Sequence, residues 1–150
     1  MDRHLAGVGL IYFSGITLAI LPPDDAEGLL ARLHFARSKG ALVAFDSNLR
    51  TALWPDKARM QVMVGQAAAV SDLVFPSFDD EQQGFGDATP DQTLDRYLEY
   101  GAGAVILKNG AASVQTGSAA ARESYSTVGV DAVIDSTGAG DSFNGAFLAE

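Results

Sequence analysis

The chain contains no cysteine, which excludes a disulfide framework, a thiolate zinc centre and a Cys nucleophile. Its two histidines, His4 and His34, are too few and too scattered for a histidine metal site or a Ser-His-Asp triad. They read as a terminal residue and a helix-surface residue. Positive charge is also scarce: ten Lys+Arg against nineteen Asp+Glu leave a formal charge of −9. A general nucleic-acid or anionic-membrane binder would carry the opposite excess. A small anionic ligand is still compatible, because a few local cations and backbone N–H groups can hold one. Long apolar runs are missing too. The uncharged stretch Leu5–Leu21, behind Asp2-Arg3-His4, contains Ser14 and Thr17, lacks a small-x-small cleavage site and is closed by Pro22-Pro23-Asp24-Asp25. It is too short and too polar to span a bilayer comfortably. It is read as a buried strand, Gly9–Phe13, followed by a loop, and the compartment as the cytoplasm.

With 150 residues, 47% of them hydrophobic and 19% charged, the chain has the composition and size of one globular domain. Strand and helix signals alternate along it. Asp24–Lys39 has helical spacing, with Leu29, Leu30, Leu33 and Ala36 on one side, and stops at Gly40. Ala41–Phe45, Asp72–Phe75 and Ala104–Leu107 are short apolar runs of strand length. Helices are expected over Asp56–Ala69, Phe78–Gln83, Pro90–Tyr100 and Asp141–Glu150. Ser113–Gln115 with Glu123–Val128 reads as a hairpin or two short strands. Continuously apolar strands separated by helices imply an α/β fold, a mostly parallel sheet covered on both faces.

In such sheets ligands gather at the carboxyl ends of the strands. Four polar segments follow the expected strands: Asp46-Ser47-Asn48-Leu49-Arg50, Ser77 to Glu81, Lys108-Asn109-Gly110, and Asp135 to Asp141. One crevice could collect all four. Gly138-Ala139-Gly140-Asp141 precedes a helix-compatible stretch, so small residues and free first-turn N–H groups could cradle a developing negative charge. Asp141 either accepts a proton from a hydroxyl or serves only as an N-cap. Asn48 and Arg50, two apart, would project to one side of an extended backbone, with Arg50 suited to a carboxylate or phosphate; a strand-exit turn with a surface arginine is the alternative. Lys108 is either a point charge facing a phosphate or a solvated lysine opening a turn. Ser77 fits an N-cap, with Asp79 and Asp80 in the first helical turn. Those carboxylates could also orient magnesium-bound waters.

The segment Asp135-Ser136-Thr137-Gly138-Ala139-Gly140-Asp141-Ser142-Phe143 resembles the C-terminal signature of the ribokinase-like (PfkB) family of carbohydrate kinases. Tyr12-Phe13-Ser14-Gly15, Phe45-Asp46-Ser47-Asn48-Leu49-Arg50 and Leu53-Trp54 are similar to the 2-keto-3-deoxygluconate kinases within it. The resemblance covers essentially the whole chain and implies a single ribokinase-like three-layer α/β/α domain over residues 1–150. It implies ATP-dependent phosphorylation of a sugar or keto-sugar-acid hydroxyl, 2-keto-3-deoxygluconate first among the candidates, with ATP and Mg²⁺ as cofactors and a monovalent cation as a further candidate. By the same resemblance Asp141 is the catalytic base, and the backbone of Gly138, Ala139 and Gly140 forms the anion hole. Asn48, Lys108, Asn109 and Gly110, with Gly138 and Gly140, line the nucleotide site, and Arg50 and Asp141 meet the substrate. Ser77-Phe78-Asp79-Asp80 falls on the family's Asn-x-x-Glu element, with Ser77 in place of Asn and Asp80 in place of Glu, and assigns Asp80 to the metal through water. The expected partners are a small sugar or sugar acid and, as assembly, a homo-oligomer, with no nucleic acid and no membrane. Family members are about twice as long, so the chain is expected to be a middle-to-C-terminal fragment without the N-terminal lid. The alternatives are a fructokinase- or ribokinase-like enzyme for another sugar, and a non-catalytic nucleotide-binding fragment.

Overall fold

The computed structural model describes residues 5, 7–129, 132 and 134–150; Asp2-Arg3-His4, part of the N-terminal reading, lies outside them. The elements follow in the order β1 (Leu10–Ser14), α1 (Gly15–Ile20), α2 (Pro23–Ser38), β2 (Leu42–Asp46), a 3₁₀ turn (Thr51–Leu53), α3 (Lys57–Ala69), β3 (Leu73–Val74), α4 (Phe78–Phe85), α5 (Pro90–Glu99), β4 (Ala104–Asn109), β5 (Ser113–Ser118), β6 (Arg122–Ser126) and α6 (Ala139–Ala149). The elements expected from periodicity are all present, with ends moved by a few residues. Their starts have local causes. Pro23 and Pro90 open α2 and α5, where a missing N–H costs nothing. The Asp56 carboxylate caps α3 by accepting from the Arg59 N–H at 2.7 Å, which satisfies one orphan donor.

The six strands form one sheet in sequence order. β1 to β4 are parallel, whereas β4, β5 and β6 pair antiparallel as a meander. Because β1 to β4 advance in one direction, right-handed crossovers deliver every intervening helix to the same face. The main core lies there: Leu30 and Leu33 of α2, Met60, Met63 and Val64 of α3, and Leu94 and Tyr97 of α5 cover Phe13, Val43, Phe45, Val74, Val105 and Leu107. Phe13 and Phe45, paired across β1 and β2, stack with centroids 4.9 Å apart.

The opposite face is covered more thinly. Among the described residues α6 is its only helix, and its buried cluster consists of Ala44, Phe75 and Ile106, with Leu73, Val114, Phe143 and Leu148 packed against it. Phe147 meets Phe75 edge-on at 5.4 Å. Leu10, Tyr12 and Leu42 are exposed on this side, so β1 is half-covered rather than a buried strand. A second correction concerns Gly15–Ile20, expected as loop and observed as helix. Among the described residues no helix is long and apolar enough to cross a membrane.

The start of α1 rests directly on the chain leaving β2. A Cβ built on Gly15 would lie 2.0 Å from the Ser47 carbonyl oxygen, a separation no side chain tolerates. Gly28, within α2, has nothing within 4 Å of the same position. Gly15→Ala is therefore expected to destabilise the fold by about 1–3 kcal/mol, as overpacking does. Gly28→Ala is expected to stabilise it by about 0.5–1 kcal/mol through helix propensity. Denaturant titration of both variants checks the contrast.

Candidate active site

Strand alternation decides which side chains reach each face. Val43 and Phe45 point into the main core, so Asp46, the last residue of β2, points towards α6. The Asp46 carboxylate is 4% exposed and is held from three elements. Tyr12 Oη of β1 donates to Oδ2 at 3.1 Å, Asn144 Nδ2 of α6 donates to Oδ2 at 3.1 Å, and Lys108 Nζ of β4 approaches Oδ1 at 3.5 Å. Lys108 Nζ also donates to Asn144 Oδ1 at 3.1 Å, and Asn144 Nδ2 to Tyr12 Oη at 3.0 Å. Burial pushes the Asp46 carboxyl up, and the Lys108 charge opposes that shift. Burial likewise pushes the Tyr12 hydroxyl up to about 12, so Tyr12 acts as a hydrogen-bond donor at neutral pH.

Lys108 Nζ sits against the start of α6, 3.6 Å from where a Gly140 Cβ would lie. Gly138 enters the helix at φ +73°, a left-handed conformation that suits glycine. The Ala139 N–H donates to the Ser136 carbonyl at 3.1 Å and the Ser142 N–H to the Gly138 carbonyl at 2.8 Å. The N–H groups of Gly140 and Asp141 therefore remain as first-turn donors without a backbone partner among the described residues. Asp141 is exposed in this first turn, and its charge contributes to the upward shifts of Asp46 and Tyr12. An ammonium group, free N–H groups and the positive end of a helix thus meet at one point, with an accessible carboxylate beside them.

The other sequence-derived residues lie on the loop after β2, at the start of α4 and at the end of β4. Asn48 and Arg50 have φ of +28° and +41°, so the extended backbone that would aim both to one side is absent. Between them Leu49 is buried, and its carbonyl accepts from Trp54 Nε1 at 2.6 Å. Arg50 and Asp80 line a cavity of about 470 Å³ with Ile16, Leu49, Leu53 and Gln83. Neither side chain makes a hydrogen bond or ion pair among the described residues, which leaves both available to ligands. Ser77 occupies the N-cap position of α4 without a side-chain cap bond; its backbone bridges to Lys108, whose N–H donates to the Pro76 carbonyl at 2.9 Å. Asn109, directly after Lys108, ends β4, and Gly110 opens the turn to β5 at φ +51°. Among the described residues no group of three or more acidic or histidine side chains is set to enclose a metal ion. Mg²⁺ in phosphate sites keeps several waters and needs only one or two carboxylates, a requirement that Asp80, unpaired at the cavity wall, fits.

Several site residues escaped the sequence reading. Asn144 is 1% exposed and sits in the apolar run Phe143 to Leu148; a lone polar residue there was the available signal. Glu81, fully buried, falls between Phe78 and Phe85 at helical spacing, which marks it as facing the core despite the acidic run around it. Its carboxylate accepts from Ser47 Oγ at 2.7 Å, Tyr97 Oη at 3.0 Å and Arg96 at 2.9 Å. Arg96 in turn pairs with Asp87 at 2.6 Å and lies over the Phe85 ring at 3.6 Å. Burial drives the Glu81 carboxyl up to about 7 against the opposing effects of Arg96, Ser47 and Tyr97.

Comparison with known proteins gives a consistent result. A family model described as pfkB family carbohydrate kinase matches residues 3–150. A 2-dehydro-3-deoxygluconokinase of Escherichia coli is 36% identical over 151 residues, covering 98% of this chain and 48% of that protein. The 2-dehydro-3-deoxygluconokinase of Haemophilus influenzae is 37% identical, with 97% and 47% covered. Among solved structures, aminoimidazole riboside kinase from Salmonella enterica, complexed with aminoimidazole riboside and an ATP analogue, superposes with a TM-score of 0.79 at 29% identity over 93% of this chain and 46% of that one. A PfkB protein from Polaromonas gives 0.81 at 25% identity over 99% and 50%. The chain spans about half the length of the curated relatives it matches.

Between the ordinary carboxyl value and about 7, folded Glu81 retains a proton that the unfolded chain has released. Stability therefore falls as pH rises through that window. Glu81→Gln removes the titration. By denaturant titration from about pH 5 to 8, wild type is expected to lose stability relative to Glu81→Gln up to about pH 7 and to run parallel above it. Parallel curves throughout would contradict the assignment.

Proposed function

The chain belongs to the pfkB family of carbohydrate kinases, and from that premise we propose that the full polypeptide, in the cytoplasm, transfers the γ-phosphoryl group of ATP to a hydroxyl of a sugar acid, 2-dehydro-3-deoxygluconate (2-keto-3-deoxygluconate). The observation that carries this reading is the approach of Lys108 Nζ to the start of α6 at Gly140, which joins a cation held by Asn144 and Asp46 to fixed N–H donors where phosphoryl charge would develop. Phosphoryl transfer asks mainly for positioning and charge stabilisation, and this arrangement supplies both.

In this reading Asp141 takes the proton from the acceptor hydroxyl as its oxygen forms the new bond to phosphorus. The bond to the bridging oxygen breaks, and that oxygen leaves on ADP. The Gly140 and Asp141 N–H groups hold the phosphoryl oxygens, while Ala139, engaged with Ser136, contributes shape at the helix start. Lys108 balances the charge of the phosphate chain, and Asn109 and Gly110 border the same strand end. Arg50, unpaired at its cavity, meets the carboxylate of the acceptor, and Asn48 lies on the loop that carries it. Asp80 would hold Mg²⁺ through water, and bound Mg²⁺ would supply neutralisation of the triphosphate. The preference for a sugar acid rests on Arg50 and on the identity to 2-dehydro-3-deoxygluconokinases.

In the full polypeptide, Asp141→Asn is expected to lower acceptor-dependent ADP formation by 10²–10⁴-fold, the usual contribution of a positioned base, with the fold retained. Turnover within about tenfold of wild type would remove Asp141 from that role.

A further inference from the structure

We infer that Glu81 is a positioning residue for the proposed reaction: its bond to Ser47 Oγ ties the 47–50 loop to the main core and so sets the placement of Asn48 and Arg50. The inference rests on the proposed role of that loop in meeting phosphate and acceptor. Asn48 and Arg50 adopt left-handed φ values without being glycine, a conformation that costs about 1 kcal/mol or more per residue unless the surroundings over-determine it. Ser47 and Leu49, on either side of Asn48, are both pinned. The Ser47 carbonyl is pressed by Gly15, the Leu49 carbonyl accepts from Trp54, and Ser47 Oγ donates to Glu81. Of these tethers, only the last ends on a carboxyl group that the fold has buried completely.

The other end of the tether is equally constrained. Arg96 of α5 donates to Glu81 Oε2 and Asp87 Oδ2, Thr93 donates to Asp87 at 2.7 Å, and Tyr97 donates to the same Glu81 oxygen that receives Ser47. Loop, α4 and α5 are thereby locked together by directional bonds. A buried ion pair generally adds little stability over an apolar pair of the same volume. Packing alone would hold α4 and α5 together, but it could not set the angle at which the chain leaves β2. Ser47 follows Asp46 directly, so adjacent residues send one side chain to the α6 face and one to the Glu81 network. The loop's exit angle is defined from both faces of the sheet.

Ser47→Ala removes the tether while leaving Glu81 with Tyr97 and Arg96, so the fold is expected to persist where Glu81→Ala would leave Arg96 unpaired on one side. In the full polypeptide, amide hydrogen exchange at residues 48–51 is expected to accelerate about tenfold, the size of one buried hydrogen bond, with exchange in β2 unchanged. KM for ATP or for 2-dehydro-3-deoxygluconate is expected to rise about tenfold by the same measure, with kcat falling less. Wild-type exchange at 48–51 in Ser47→Ala would overturn the inference. So would accelerated exchange with both KM values unchanged in an active enzyme. Absence of acceptor-dependent ADP in wild type would count against the kinase reading itself, and the exchange comparison would then still support or overturn the tether.

Discussion

The buried Asp46 carboxylate is the interaction on which the geometry of the site depends. Four parallel strands laid down in sequence order place α2, α3, α4 and α5 on one face of the sheet, and among the described residues α6 alone packs on the other. The apolar patch beneath α6 is small, centred on Ala44, Phe75 and Ile106, and hydrophobic contact is non-directional. Such contact can hold a helix to a sheet without fixing its register. Asp46 supplies the missing direction. Through Tyr12, Asn144 and Lys108 it joins β1, α6 and β4 at one carboxylate, and any displacement of α6 would strand buried polar atoms, which is costly. The helix start that carries Gly138, Gly140 and Asp141 is thereby held over the strand ends.

A strand alternates sides with every residue, and β2 uses that alternation at its exit. Asp46 turns to the α6 face and Ser47 to the α4–α5 face. Two polar networks, one around Asp46 and one around Glu81, thus meet across the backbone of consecutive residues. The strained turn at Asn48 and Arg50 follows at once. The close contact of Gly15 with Ser47 places α1 against the same point, so the loop has little freedom despite lying at the protein surface.

Much of this was legible in the sequence, and what was missed has physical causes. Apolar runs such as Ala104 to Leu107 and the helical spacing of Leu29, Leu30, Leu33 and Ala36 reveal strands and helices because burial imposes those periods directly. Gly138 to Asp141 stood out because few sequences need two glycines before an aspartate at a helix start. Asn144 and Glu81 were missed because each is a polar residue on a buried face, and partners as distant in sequence as Tyr12 and Asp46, or Ser47 and Arg96, become visible only in three dimensions. The left-handed turn at Asn48 and Arg50 carries no glycine to announce it. Cover on both sheet faces follows from the apolar strands, whereas the number of helices on each face follows from strand order, which periodicity does not encode.

The proposed function requires that Lys108, oriented by Asp46 and Asn144, and the start of α6 together form a phosphate site. Calorimetric titration of Mg·ATP into the full polypeptide and its Lys108→Met variant tests that claim most directly. Binding to the variant is expected to weaken by about tenfold or more, the loss of a charge-assisted bond, with its circular dichroism and melting transition still those of a folded protein. Equal affinity in the two proteins would show that the nucleotide phosphates bind elsewhere and would contradict the account.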